Sequence, residues 1–105
     1  MKTPDLSKVL AAVVDNVGGI TAADLLGRRR TEPLASARQM AMYFLRHAYG
    51  WSYSSIGRAI GGRDHGTVLH GVRATSDRMD VESKWRGHAK AIADQLQMQP
   101  GIQLP

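Results

Sequence analysis

Arg63, Asp64, His65, Gly66 and Thr67 follow a glycine pair, Gly61-Gly62, and open a segment whose apolar residues recur at helical spacing. Polar side chains on the first turn of such a helix are placed to meet the edges of nucleic-acid bases. An arginine there forks onto guanine O6 and N7 or holds a phosphate. An aspartate accepts from cytosine N4 or caps its own helix, and both roles are compatible. His65 donates or accepts at a base edge in either tautomer. Thr67 bonds a phosphate or its own helix backbone, and the amides of residues 65–67 form an anion-friendly helix N-terminus. A second device lies upstream, Arg28-Arg29-Arg30-Thr31-Glu32-Pro33. A loop of arginines beside a recognition helix can enter the minor groove, where narrow A·T tracts concentrate negative potential. Its plain alternative is a solvated charge run.

Other chemistries fail on residue type or spacing. The chain has no cysteine, which excludes disulfide scaffolds, cysteine zinc sites, iron–sulfur clusters and thiol catalysis. His65 and His70 share a predicted helix, but no carboxylate completes a metal set there. Ser52, Ser54 and Ser55 have no base nearby in sequence and read as capping residues. The glycine-rich turn lacks both GxGxxG spacing and a preceding strand, and no Walker lysine motif occurs. Trp51 and Tyr53 could stack on bases; flanking a cap, they read as lids over the core. No catalytic residue, metal or cofactor is therefore expected, and the chain is not expected to be an enzyme.

Charge points the same way. Fourteen Lys and Arg against nine Asp and Glu give +5 over 105 residues. Residues 27–78 carry nine arginines against Glu32, Asp64 and Asp77, a local net of +6, while residues 1–26 sum to −1 and residues 79–105 to zero. Every basic residue of the middle block is arginine, the side chain suited to planar, bidentate contact with phosphate and guanine. The longest apolar run, Val9 to Val14, is far short of the ~18 residues of a membrane span. With no signal-peptide pattern, the expected location is the cytoplasm, in association with the nucleoid.

Helices punctuated by glycine must position these groups. The spacing predicts a helix over Lys8–Val17, stopped by Gly18-Gly19, then a short one capped by Thr21 with Asp24 at the third position and ending at Gly27. A long helix runs from about Ala35 to Tyr49, with Met40, Ala41, Phe44, Leu45 and Ala48 inward. Residues 52–61, Gly62-Arg63 and residues 64–79 read as a helix-turn-helix, with Ile56, Ala59 and Ile60, then Val68, Leu69, Val72 and Met79, inward. A last helix, Val81 to Met98, turns Trp85, Ala89, Ile92, Ala93 and Leu96 inward. The expectation is one all-α domain over residues 1–98, with 99–105 as a frayed tail.

Asp24-Leu-Leu-Gly-Arg-Arg-Arg, Ala37-Arg-Gln-Met-Ala-Met, Ile56-Gly-Arg-Ala-Ile-Gly-Gly-Arg-Asp-His and Thr67-Val-Leu-His resemble the C-terminal DNA-binding domain, domain IV, of the bacterial replication initiator DnaA. The resemblance spans residues 24–73. It implies a Trp-repressor-like bundle of about six helices, whose helix-turn-helix reads the major groove while the basic loop enters the minor groove. By position it makes Arg30 the minor-groove arginine and Asp64 and His65 base readers. It places Arg28, Arg38, Gln39, Arg46, Arg63 and Thr67 where backbone contacts fall.

Three residues depart from the family pattern. Gly66 stands where a threonine is usual, Glu32 where a basic residue is common, and Tyr53-Ser54 where Leu-Pro is frequent. A chain of this length, if complete, has no room for the initiator's ATPase. The resemblance then implies a DnaA-related module that occupies DnaA-box-like duplex DNA and regulates replication or transcription. The alternative is an interaction protein that keeps the fold and acts on DnaA or its regulators.

Overall fold

A computed structural model describes residues 3–97; the predicted tail, 99–105, and the end of the last predicted helix at Met98 lie outside the described residues. Those residues form six helices and no strand: α1 (Thr3–Val17), α2 (Ala22–Leu26), α3 (Leu34–His47), α4 (Tyr53–Ala59), α5 (His65–Val81) and α6 (Ser83–Gln97). The all-α expectation holds. None of the helices is long and apolar enough to cross a membrane.

α1 starts five residues earlier than its apolar stripe suggested. Leu6 extends the stripe by nearly a turn and packs against the core, while Ser7 and Lys8 lie on the solvent side. α2 has the full reciprocal cap: Asp24 N–H donates to Thr21 Oγ1 at 3.0 Å, and Thr21 N–H donates to Asp24 Oδ2 at 2.9 Å. Ile20 and Leu25, which flank the cap at the positions of a hydrophobic staple, are both buried.

α3 is the axle of the bundle, packed against α1, α2, α4 and α5. Ala37, Met40, Ala41, Phe44 and Leu45 are buried along it, and α6 closes the core with Trp85, Ile92 and Leu96. Leu69, expected inward, is only half-buried, because one step from fully buried Val68 turns its side chain about 100° around the helix. The α5–α6 boundary falls at Glu82, whose extended backbone ends α5 and leaves Val81 largely exposed.

Two caps and three glycines build the helix-turn-helix. Ser52 Oγ accepts from Ser55 N–H at 3.1 Å, and Asp64 Oδ1 accepts from Thr67 N–H at 2.8 Å. Gly61 and Gly62 hold φ of +72° and +69°, a pair of left-handed residues that only glycine adopts at low cost. Gly57, buried inside α4, lets the backbone after the turn pass directly over it. Arg63 N–H donates to Gly57 O at 2.8 Å. A Cβ on Gly57 would overlap the Arg63 carbonyl oxygen and come within 2.9 Å of its carbon.

The same substitution should therefore act oppositely at two helical glycines. Gly57→Ala is expected to cost on the order of 2 kcal/mol or more, overpacking outweighing the gain in helix propensity. Gly87→Ala, on the exposed face of α6 with nothing within 4 Å of its Cβ, should gain about 1 kcal/mol. Urea denaturation of both variants tests this; equal signs would show that the close approach does not constrain the turn.

Candidate nucleic-acid interface

A groove of about 320 Å³ opens between the basic loop, the N-terminal half of α3 and the start of α5. Five of the nine expected site residues line it: Arg30, Arg38, Gln39, Arg63 and Thr67. Among the described residues, no carboxylate lines it.

Two of its arginines are tied into the fold. Arg38 is 4% exposed. Its Nε, Nη1 and Nη2 donate to the carbonyls of Leu25, Arg29 and Asp24, each at 2.7 Å. Arg63 Nη2 donates to Gly27 O at 2.7 Å and Nη1 to Ile60 O at 3.1 Å. The carbonyls at the end of α2 carry the negative end of its dipole, so cations belong there, although Asp24 O also accepts from Gly27 N–H at 3.1 Å. Together the two guanidiniums hold the end of α2 and the first residues of the basic loop. An ion pair between Arg29 and Asp24 at 3.3 Å adds to this. The loop is thus anchored at its root, with the Arg28 and Arg30 side chains exposed.

The electrostatics record the crowding. Burial, followed by the positive charges of Arg63 and Arg30, lowers the Arg38 pKa from the ordinary arginine value. Arg63 is lowered by burial and by Arg30 and Arg28. Four like charges are therefore held near one another. At the head of α5 the Thr67 backbone N–H holds the Asp64 carboxyl below its ordinary range, so it is ionised at neutral pH. His65, Gly66 and Thr67 follow it on the exposed first turn.

Arg46 lies apart from this groove. Its Nη1 donates to Trp51 O at 3.0 Å and its guanidinium covers the Tyr53 ring at 4.6 Å, bracing the α3–α4 corner. Trp51 is buried there and donates from Nε1 to Asp5 at 3.2 Å, as suits a lid over the core. Glu32 also has a structural use: its carboxylate accepts from Ser36 N–H at 3.1 Å and from Ser36 Oγ at 2.5 Å, capping α3.

Sequence reasoning left out three residues that line the groove, Ala35, Met42 and His70. His70 was within reach of it, since it follows Thr67 by three residues and so shares its helix face.

This arrangement has relatives. The family model described as the bacterial dnaA protein helix-turn-helix matches residues 7–74. The chain belongs to that DnaA family. The curated relatives include the chromosomal replication initiator proteins DnaA of Chloroflexus aggregans, 32% identical over 96 residues, and of Thermomicrobium roseum, 38% identical over 94. These alignments cover 91% and 90% of this chain but 20% of each relative, so the chain spans about a fifth of their length. The DnaA of Lactococcus lactis subsp. cremoris is 44% identical over 66 residues, 63% of this chain and 14% of its own. The match is to the DNA-binding part of DnaA. The matched residues contain the groove, both of its arginine anchors, α4, the turn and the first ten residues of α5; the rest of α5 and α6 lie beyond the family model.

The DnaA-like loop depends on Arg38. Arg38→Ala removes three charge-assisted bonds and takes the guanidinium partner from the buried Leu25 carbonyl, a cost on the order of 3 kcal/mol. The expected outcome is a clear fall in melting temperature, with faster amide exchange at the end of α2. An unchanged melting temperature would mean that the clamp contributes nothing to the fold.

Proposed function

We propose that this chain binds double-stranded DNA at DnaA-box-like sites and, by occupying them, regulates replication initiation or transcription in the bacterial cytoplasm, at the nucleoid. The carrying observation is the groove lined by Arg30, Arg38 and Arg63, with Arg28 acting on Arg63 from beside it and no carboxylate among the described lining residues. A polyanion relieves their repulsion, and the exposed first turn of α5 lies beside them. Binding of this kind calls for no catalytic group and no cofactor.

In this reading α5 enters the major groove with His65 and Asp64 at base edges. The Asp64 carboxylate has lone pairs beyond the one committed to Thr67 N–H, so capping and acceptance from cytosine N4 coexist. Arg30 reaches the minor groove from the anchored loop. Arg28, Gln39, Arg63 and Thr67 meet phosphates. Arg38 and Arg46 act mainly by holding the loop and the α3–α4 corner in place. The departure at Glu32 has a structural use, capping α3, and so does not favour the alternative, an interaction protein acting on DnaA or its regulators.

Anisotropy titration with box-containing and scrambled duplexes tests the proposal. With about five phosphates neutralised, log K against log salt should fall with a slope of roughly −4 to −5. Arg30→Ala should lose discrimination at the A/T-rich end of a box and His65→Ala within its major-groove half, each by about 1–3 kcal/mol. A slope near zero, with both variants binding like the parent, would instead favour the interaction protein.

Gly66 offers a sharper test of readout. Its backbone is not left-handed, and a Cβ there would meet only Asp64 Oδ1 at 3.5 Å, an ordinary contact. Neither space nor conformation requires glycine. Without a side chain, the site should tolerate substitution at the base pair opposite. Gly66→Thr should modestly stabilise α5 and tighten preference for thymine at one step, read on a box series varied at every position. Loss of binding to every member would mean that the glycine is needed for close approach.

A further inference from the structure

Gln39 is held at both ends of its side chain. Its Cβ and Cγ face the bare Cα of Gly71, where an added Cβ would come within 3.6 and 3.2 Å of them. Its Oε1 accepts from Arg78 Nη2 at 3.0 Å, across thirty-nine residues of sequence. A guanidinium has donors only, so the carboxamide must turn its oxygen to Arg78 and keep its NH2 for another partner. Gln39 also lines the arginine groove.

We infer that Arg78 is a positioning residue for DNA recognition. By engaging Oε1 it fixes Gln39 as a preorganised donor whose Nε2 hydrogens meet a phosphate oxygen. Bidentate reading of adenine needs both the oxygen and the nitrogen of the amide, and Arg78 already claims the oxygen. Ordering a side chain with several rotamers on binding costs about 0.5–1.5 kcal/mol, and here the ordering precedes DNA. The inference rests on the DNA-binding reading above and adds to it a residue outside the groove. It also assigns Gln39 a sequence-independent role.

A double-mutant cycle tests it in the full chain. Arg78→Ala should weaken box-containing and scrambled duplexes alike by about threefold to tenfold, the ordering cost expressed as affinity. In a Gln39→Ala background the same change should cost nothing further. Base preference should be unchanged, and all variants should melt close to the parent. In the DNA-free protein, ¹⁵N relaxation should find the Gln39 side-chain amide rigid in the parent and disordered in Arg78→Ala. Equal losses in both backgrounds would mean that Arg78 touches DNA itself and would overturn the inference, as would a disordered Gln39 amide in the parent. A parent that binds no duplex would overturn the DNA-binding reading instead, leaving the relaxation measurement to judge the Arg78–Gln39 lock.

Discussion

The end of α2 is where this fold and its chemistry meet. A five-residue helix cannot hold itself together in water, since nucleation is unfavourable and so short a helix satisfies few of its own backbone groups. Here Arg38 from α3 takes the Leu25 and Asp24 carbonyls and Arg63 from the helix-turn-helix takes that of Gly27, the C-cap. The basic loop leaves α2 at this point, so its position relative to α5 is set by two guanidiniums and not by its own sequence. Without that clamp the basic loop and α5 would be joined only through the apolar core.

Arginine suits the task because one group satisfies several demands. Its planar fork meets several carbonyls at once, its charge complements the helix end, and what remains of it contributes to a positive groove. The arrangement has an electrostatic cost: the clamp draws Arg38 and Arg63 toward Arg28 and Arg30, with Asp24 opposing this at Arg38. Burial of the Arg38 stem and the hydrogen bonds of its head offset that repulsion in the free protein. A lysine, with one compact ammonium, could not make the three bonds of Arg38 in their observed directions.

Much of this was legible in sequence because glycine and capping residues mark it locally. Thr21 with Asp24, Ser52, Asp64 and the pairs Gly18-Gly19 and Gly61-Gly62 set boundaries that the structure keeps within a residue or two. The start of α1 was not, since Ser7 and Lys8 interrupt the apolar run although they belong to the solvent face of the same helix. The roles of the arginines were hidden for a deeper reason. A guanidinium bonds a backbone carbonyl and a phosphate oxygen with the same geometry, and which one it meets depends on partners far along the chain. Gly27 is thirty-six residues from Arg63, and Arg78 thirty-nine from Gln39. The use of Glu32 was hidden as well, its capping of α3 being concealed by the proline that follows it.

The seating of α5 on α3 makes the recognition helix a lever. At seventeen residues it is about 25 Å long, and Gly71, where it presses on Met42 and Gln39, lies six residues or about 9 Å from His65. A tilt of about 10° about that fulcrum would carry His65 sideways by about 1.5 Å, half the length of a hydrogen bond. If α5 reads bases as proposed, its aim is governed by the bulk of Met42, which lines the groove and sits at this fulcrum. Substitutions at Met42 that change its volume while keeping the domain folded would then redirect which base pair the first turn addresses. Packing of the core would set sequence preference by the same adjustment.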